Sequence, residues 1–138
     1  MSEVELRACT MADHEAITSL WHSCGLHPSR TDTREALGRK LERDPELFLL
    51  AVADDEVVGT LLGTYDGRRG WINRLAIRHD WRGKGVADRL MAEVERRLVA
   101  LGCEKVNLLI EPENGAAQGY YERLGYGVDP LIFMEKWL

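Results

Sequence analysis

The sharpest change of hydrophobic period along the chain falls between Trp71 and Leu101. Trp71-Ile72-Asn73-Arg74-Leu75-Ala76-Ile77 is apolar and nearly continuous, with Trp71, Leu75 and Ile77 alternating to one side and Ile72 and Ala76 to the other. That pattern predicts a strand buried on both faces. From Val86 onward the period becomes helical: Val86, Ala87, Leu90, Met91, Val94, Leu98 and Leu101 face inward, Arg89, Glu93, Arg96 and Arg97 fall outward, and Gly102 stops the helix. His79-Asp80-Trp81 and the basic loop Arg82-Gly83-Lys84-Gly85 lie between the two elements.

The remaining pattern is read in chain order. Val4 to Ala8 predicts a first strand. Thr10, with Asp13 three residues on, predicts the cap of a helix that reaches about Cys24 and buries Ile17, Leu20, Trp21 and Cys24. Asp32 or Thr33 caps a second helix that ends before Pro45, with Leu37 and Leu41 inward. Strands follow at Leu47 to Ala53 and Val57 to Tyr65, joined at Asp54-Asp55-Glu56. Asp66-Gly67 then opens a hairpin into the Trp71 strand. After the long helix come a strand from Lys105 to Glu111, a turn at Pro112-Glu113-Asn114-Gly115, a helix from Ala116 to Leu124 closed by Gly125, and a tail from Leu131 to Leu138 that alternates as a final antiparallel strand would. A strand, a crossover helix and a further strand imply parallel pairing of the Trp71 and Lys105 strands. The expected class is therefore α+β, a mixed and mostly antiparallel sheet of six to seven strands with a central parallel pair and about four helices.

Length and charge narrow the reading. A chain of 138 residues, 45% hydrophobic, suits one domain over residues 1–138 with a single core. No apolar run reaches the roughly eighteen residues a bilayer span needs, and Met1-Ser2-Glu3-Val4-Glu5 is acidic and unlike a signal peptide. A cytoplasmic protein is expected, with no membrane partner. The net charge of -5 argues against nucleic acid and mildly favours a cationic partner. Cys9, Cys24 and Cys103 include no C-x-x-C pair, which suggests free thiols in a reducing compartment; His22, Cys24 and His27 lie close in sequence but lack a further ligand pair, so no metal is expected.

The loop has the chemistry of an anion site. The first N–H groups of a helix lack intrahelical partners and the helix dipole adds partial positive charge there. Gly83 and Gly85 leave the backbone bare, while Arg82 and Lys84 add full charges, a combination able to hold a pyrophosphate. The loop lacks the GK[ST] ending of a Walker loop, and the G-x-G-x-x-G spacing fails after Gly85. By itself it is equally well read as a glycine turn with a solvated Arg and Lys.

Two motifs together sharpen this. Arg82-x-x-Gly85-x-Ala87 resembles the acyl-CoA pyrophosphate loop, Q/R-x-x-G-x-G/A, of the GNAT superfamily of N-acetyltransferases. Asn114 followed by Tyr120-Tyr121-Glu122-Arg123-Leu124-Gly125-Tyr126 is similar to the second motif of that family, N…(F/Y)YE-x-LG(F/Y). Tyr65-Asp66-Gly67-Arg68-Arg69-Gly70 suggests one of its small bacterial types. The resemblance implies acetyl-CoA as cosubstrate and parallel strands that splay apart to admit its pantetheine arm. It places Leu75, Ala76 and Ile77 on the pantetheine and thioester, Arg82, Gly83, Lys84, Gly85, Val86 and Ala87 on the pyrophosphate, and Asn114 on the pantetheine arm.

The implied reaction is transfer of acetyl to a primary amine. A lysine-type ammonium, with a pKa of about 10.4, must lose a proton before it attacks, and the departing thiolate benefits from an acid. A strand N–H among Leu75–Ile77 could polarise the carbonyl. The resemblance marks Tyr121 as that acid; without it, Tyr120, Tyr121 and Tyr126 read as core aromatics. The base is open: where some members of the family carry a glutamate this chain has Leu109, and Glu111, Glu113, His79 and Asp66 read first as solvated groups. Two other readings are a noncatalytic acyl-CoA sensor and a nucleotide-binding module, against which stand Tyr121 and the missing Walker residues respectively. The acceptor is not named by any pattern, although the Gly25–Asp32 loop and the tail are expected to shape its site. The exposed edge of a final strand could pair across a homodimer.

Overall fold

Most of the apolar residues before Leu108 collapse onto one sheet whose strands lie side by side in sequence order. The computed structural model describes residues 3–138, the side chain of Glu113 excepted, so Met1 and Ser2 of the acidic amino-terminal stretch and the Glu113 side chain lie outside the described residues. The chain divides into a unit ending at Leu108 and a second unit, Leu109–Leu138. The first contains β1 (Glu5–Ala8), α1 (His14–Ser23), α2 (Arg34–Arg43), β2 (Phe48–Ala53), β3 (Glu56–Tyr65), β4 (Gly70–Ile77), α3 (Val86–Ala100) and β5 (Val106–Leu108). β1 to β4 pair antiparallel and β5 joins β4 in parallel, as the crossover through α3 requires. The second unit holds a 3-10 turn, Pro112–Asn114, and α4 (Gly115–Arg123).

Local chemistry explains the element ends. The Asp13 carboxylate accepts the Thr10 N–H at 2.8 Å and the Thr10 hydroxyl at 3.0 Å. It also takes two bonds from Arg7, at 2.8 and 2.9 Å. Arg7 first, then the Thr10 bonds against the cost of burial, hold its pKa down at about 2. The chain makes a 3-10 turn, Met11–Asp13, before α1 begins. Thr33 caps α2 by accepting the Ala36 N–H at 3.1 Å. Asp54 and Asp55, at φ 52° and 62°, form the two-residue link between β2 and β3, a conformation whose twist matches that of the flanking strands.

The sheet is covered on both sides. α1 and α2 lie on one face, where Trp21 stacks on Phe48 with ring centroids 6.1 Å apart among Cys9, Ile17, Leu37, Leu50 and Ala76. The Lys40 ammonium docks α2 onto β3, donating to Asp44 at 2.7 Å, to the Gly63 carbonyl at 2.5 Å and to the Thr64 hydroxyl at 2.8 Å. α3 covers the other face with Val86, Leu90, Met91, Val94 and Leu98. It approaches closely because that face of the sheet carries glycines. A Cβ on Gly63 would sit 2.7 Å from Val94 Cγ2 and 3.0 Å from the Leu47 carbonyl, and one on Gly70 2.9 Å from Cys103 Sγ.

Several expectations need correcting. β4 does not alternate simply. The ladder with β3 slips between Thr60 and Leu62, and Arg74 adopts φ 52°, so β4 carries an extra residue, a β-bulge. Ile72 pairs with Gly63 and Ile77 with Gly59, and both glycines face α3. Ile72 and Ile77 therefore share the α3 face although they are an odd number apart, and Ala76 turns to α1. Trp71, Leu75 and Ile77 are half-buried rather than buried. β5 pairs over Val106–Leu108 alone, shorter than the Lys105–Glu111 expectation. The tail is extended but joins no ladder among the described residues, so the sheet has five strands there, not six to seven. Leu101 is 51% exposed, having passed the last turn of α3.

The glycine face makes a testable contrast. Gly63→Ala should destabilise by about 1–3 kcal/mol through overpacking against Val94 and Leu47. Gly119→Ala, within α4 and with nothing within 4 Å of its new methyl, should stabilise by about 0.4–1 kcal/mol. Urea unfolding of the two variants reads both signs.

Candidate functional site

The carboxyl end of β4 and the start of α3 form one continuous stretch of polar backbone. β5 leaves β4 after the Ile72–Leu108 pair, and β4 continues to Ile77. Leu75, Ala76 and Ile77 thus lie on the part of β4 where no fifth strand pairs among the described residues. A φ of 52° costs a non-glycine residue about 1–2 kcal/mol. Arg74 is held there from several sides. Its carbonyl accepts the Thr60 hydroxyl at 2.8 Å, and that hydroxyl in turn accepts the Trp21 indole N–H at 2.9 Å. Its guanidinium lies 4.9 Å from the centroid of the Trp21 ring and donates to Asp32 at 2.7 Å and to the His27 carbonyl at 3.3 Å.

Past Ile77 the chain makes a 3-10 turn, His79–Trp81, and enters the glycine loop. Gly83 and Gly85 sit at φ 74° and 80°, the left-handed region, and Gly85 caps α3. A Cβ built on either would meet nothing within 4 Å, so the backbone there faces open space. The following N–H groups begin a helix of fifteen residues and lack intrahelical acceptors. This cradle fits a phosphate-bearing ligand. The two basic side chains behave differently. Lys84 lies over the Trp81 ring at 5.5 Å. Arg82 folds back to donate to the Ile77 carbonyl at 3.1 Å and lies 3.7 Å from Cys24 Sγ, so it braces the loop against β4 and the end of α1.

The loop after α1 is tied to the bulge. Asp32 accepts the Ser29 N–H at 2.8 Å together with Arg74, and its carbonyl lies 2.8 Å from His14 Nε2. Beside it a small cavity of about 30 Å³ is lined by His14, Trp21, Asp32 and Phe48 among others. Of the base candidates, Asp66 sits at the β3–β4 turn, the far end of β4 from Ile77. Backbone N–H groups of Arg69 and Arg68 lower its pKa, which weakens it as a base. His79 and Glu111 are exposed. Among the described residues no group of three His, Cys, Asp or Glu could hold a metal ion, and no helix is long and apolar enough to cross a membrane.

In the second unit, Asn114 is exposed and precedes α4. Tyr121 lies half-buried on α4 between Tyr120 and Tyr126, with ring centroids 5.3 and 5.9 Å away. Burial raises its pKa, because the ionised form would lose solvation.

Comparison with known proteins gives the family and the fold. The model of the acetyltransferase (GNAT) family matches residues 14–126. The chain belongs to that family. Acetyltransferases of Pectobacterium atrosepticum and Yersinia enterocolitica are each 38% identical to it over 135 residues, covering 98% of this chain and 96% of theirs. Among solved structures, the PaiA N-acetyltransferase of Thermoplasma acidophilum in complex with coenzyme A superposes with a TM-score of 0.83 at 18% identity, covering 94% of this chain and 93% of that one. An aminoglycoside N-acetyltransferase in complex with CoA gives 0.78 at 23% identity, covering 99% and 96%. These structures share the mixed α+β fold. Within this family member, sequence reading passed over Arg74, Thr60 and Trp21 as site residues. The polar pair Asn73-Arg74 interrupting an apolar strand was the available sign of a bulge.

The three thiols are free. Cys9 is buried, and burial pushes its pKa up to about 12; Cys103 is buried too, and Cys24 is half-exposed beside Arg82. A disulfide reagent such as DTNB should modify one thiol readily in the native protein and all three after unfolding. Rapid native reaction of more than one would contradict the packing of Cys9 or Cys103.

Proposed function

We propose that the protein is an acetyl-CoA-dependent N-acetyltransferase, one acyl-CoA N-acyltransferase domain over residues 1–138, acting on a primary amine of a small molecule or protein. The observation that carries this reading is the uninterrupted path from the open edge of β4 to the left-handed Gly85 at the start of α3. It offers backbone donors for an extended arm at one end and for a pyrophosphate at the other.

Acetyl-CoA supplies the activated acetyl group as a thioester. In this reading the backbone of Leu75, Ala76 and Ile77 holds the pantetheine like an added strand, and the Gly83–Ala87 N–H groups take the pyrophosphate. Lys84 contributes charge there, and Arg82 stiffens the loop. The Leu75 N–H receives the negative charge that grows on the carbonyl oxygen. Asn114 and Tyr121 take their roles from their places in the second motif: the Asn114 amide on the pantetheine arm, and the Tyr121 hydroxyl as the proton donor for the departing sulfur. Like any tyrosine, Tyr121 carries its proton at pH 7 and is able to donate it. A thiol-release screen of acetyl-CoA against a library of amines and alcohols tests the whole reading. Products on amines should resist hydroxylamine as amides do. No release with any acceptor, or release with alcohols alone, would overturn it.

Two substitutions test its parts. Gly85→Val should leave the fold standing, since a left-handed valine costs about 1–2 kcal/mol. It should weaken acetyl-CoA by roughly tenfold or more in calorimetry, because one or two charge-assisted bonds of about 1.5–3 kcal/mol each are lost. An unchanged dissociation constant would remove the loop from the site. Tyr121→Phe should lower turnover by about 10²–10⁴-fold while acetyl-CoA binding changes little. Full turnover, under conditions where chemistry is limiting, would exclude the hydroxyl from the reaction.

A further inference from the structure

Thr60 is wholly buried on β3, with its side chain on the α1 face of the sheet. Nothing in packing alone asks for a hydroxyl there, because a valine has nearly the same shape. The hydroxyl has two partners: it accepts the Trp21 indole N–H at 2.9 Å and donates to the Arg74 carbonyl at 2.8 Å. Trp21 is itself fixed, stacked on Phe48 and held against the Arg74 guanidinium. The indole thus orients the hydroxyl, and the hydroxyl holds one carbonyl.

That carbonyl belongs to the residue with the left-handed backbone. The described chain contains no cis peptide, so the Arg74 C=O and the Leu75 N–H point in opposite directions across one planar unit. Drawing the carbonyl toward Thr60 on β3 directs the Leu75 N–H the other way, onto the edge that β5 leaves open beyond Ile72. In a regular ladder successive N–H groups alternate between the two neighbours. Here the alternation is broken at one peptide, and the bond that breaks it comes from Thr60.

We propose that Thr60 and Trp21 are positioning residues for acetyl transfer: their hydrogen-bonded chain locks the Arg74–Leu75 peptide so that the Leu75 N–H is preorganised for the developing oxyanion. The proposal rests on the N-acetyltransferase reading above, and neither residue touches the reacting atoms. Without the hydroxyl, the Arg74 carbonyl loses its donor on β3 and the Arg74–Leu75 peptide is free to rotate about the Arg74 ψ and Leu75 φ torsions. The donor is then lost for the step in which charge develops, while the phosphate cradle at Gly83–Ala87 is untouched.

The test compares Thr60→Val, Thr60→Ser and Trp21→Phe, with Thr64→Val as a control whose lost hydroxyl bonds Lys40 instead. Thr60→Val should lower kcat by up to about 10²–10³-fold, the range for removing one oxyanion donor, with the acetyl-CoA KM nearly unchanged. Thr60→Ser should restore most of the rate, Trp21→Phe should fall between, and Thr64→Val should lose stability without losing kcat. A folded Thr60→Val with normal kcat, or one that loses only acetyl-CoA affinity, overturns the proposal. If Thr60→Val does not fold, Trp21→Phe carries the same kcat-against-KM criterion. A second readout needs no turnover. The three-bond HN–Hα coupling of Leu75, which reports its φ and so the orientation of the Arg74–Leu75 peptide, should change in Thr60→Val and Trp21→Phe and stay fixed in Thr64→Val. An unchanged coupling in the first two overturns the proposal even if no acceptor is ever acetylated, whereas absence of wild-type turnover alone speaks against the N-acetyltransferase reading.

Discussion

A strand between two neighbours spends alternate N–H groups on each, and β4 departs from that rule at Arg74. The departure is held by buried polar contacts rather than by a glycine: the Thr60 hydroxyl on the Arg74 carbonyl, the Trp21 indole on the hydroxyl, and Asp32 on the guanidinium. Much of the rest follows. The extra residue puts Ile72 and Ile77 together against α3 and sends Ala76 to the α1 core. It lies just past Ile72, where the parallel ladder with β5 stops. The same contacts draw the loop after α1 onto the sheet, so one set of bonds shapes both sides of the β4 end.

The second constraint is where α3 begins. Its position over the sheet is set by the bare surface of Gly63 and Gly70, which lets Val94 and Leu98 settle close to β3 and β4. Because the helix is seated along its length, its first turn is aimed without help from the loop. Gly83 and Gly85 need only reverse the chain, and Arg82, bonded back to Ile77, takes up the remaining slack. A rigid helix thus presents orphan N–H groups at the end of a strand that also has unspent ones.

The features legible in the sequence were those whose causes are local. The Thr10–Asp13 cap, the stripe of α3 and the bare glycine backbone of the loop each depend on a few neighbouring residues, and each is found. The two motifs identified the family because they test spacing as well as composition. The faces of β4 were misread because their cause is distant: Thr60 lies 14 residues from Arg74, and Trp21 a further 39 from Thr60. No period computed along β4 contains that information. The tail failed for a different reason. Leu131, Ile132, Phe133 and Met134 are apolar on both parities, and all four are exposed, so the alternation had no face to select.

Lys40 has a consequence of another kind. A protein of the acetyltransferase family carries amines of its own, and four of them are lysines, Lys40, Lys84, Lys105 and Lys136. Three N–H bonds of the Lys40 ammonium are committed to Asp44, Gly63 and Thr64, and reaching its nitrogen would mean lifting α2 from the sheet. Those three bonds point into the protein, so the nitrogen presents no open side to an incoming acyl group. The clamp that fastens α2 therefore also keeps one of the chain's own amines out of reach of any acyl donor while the molecule is folded.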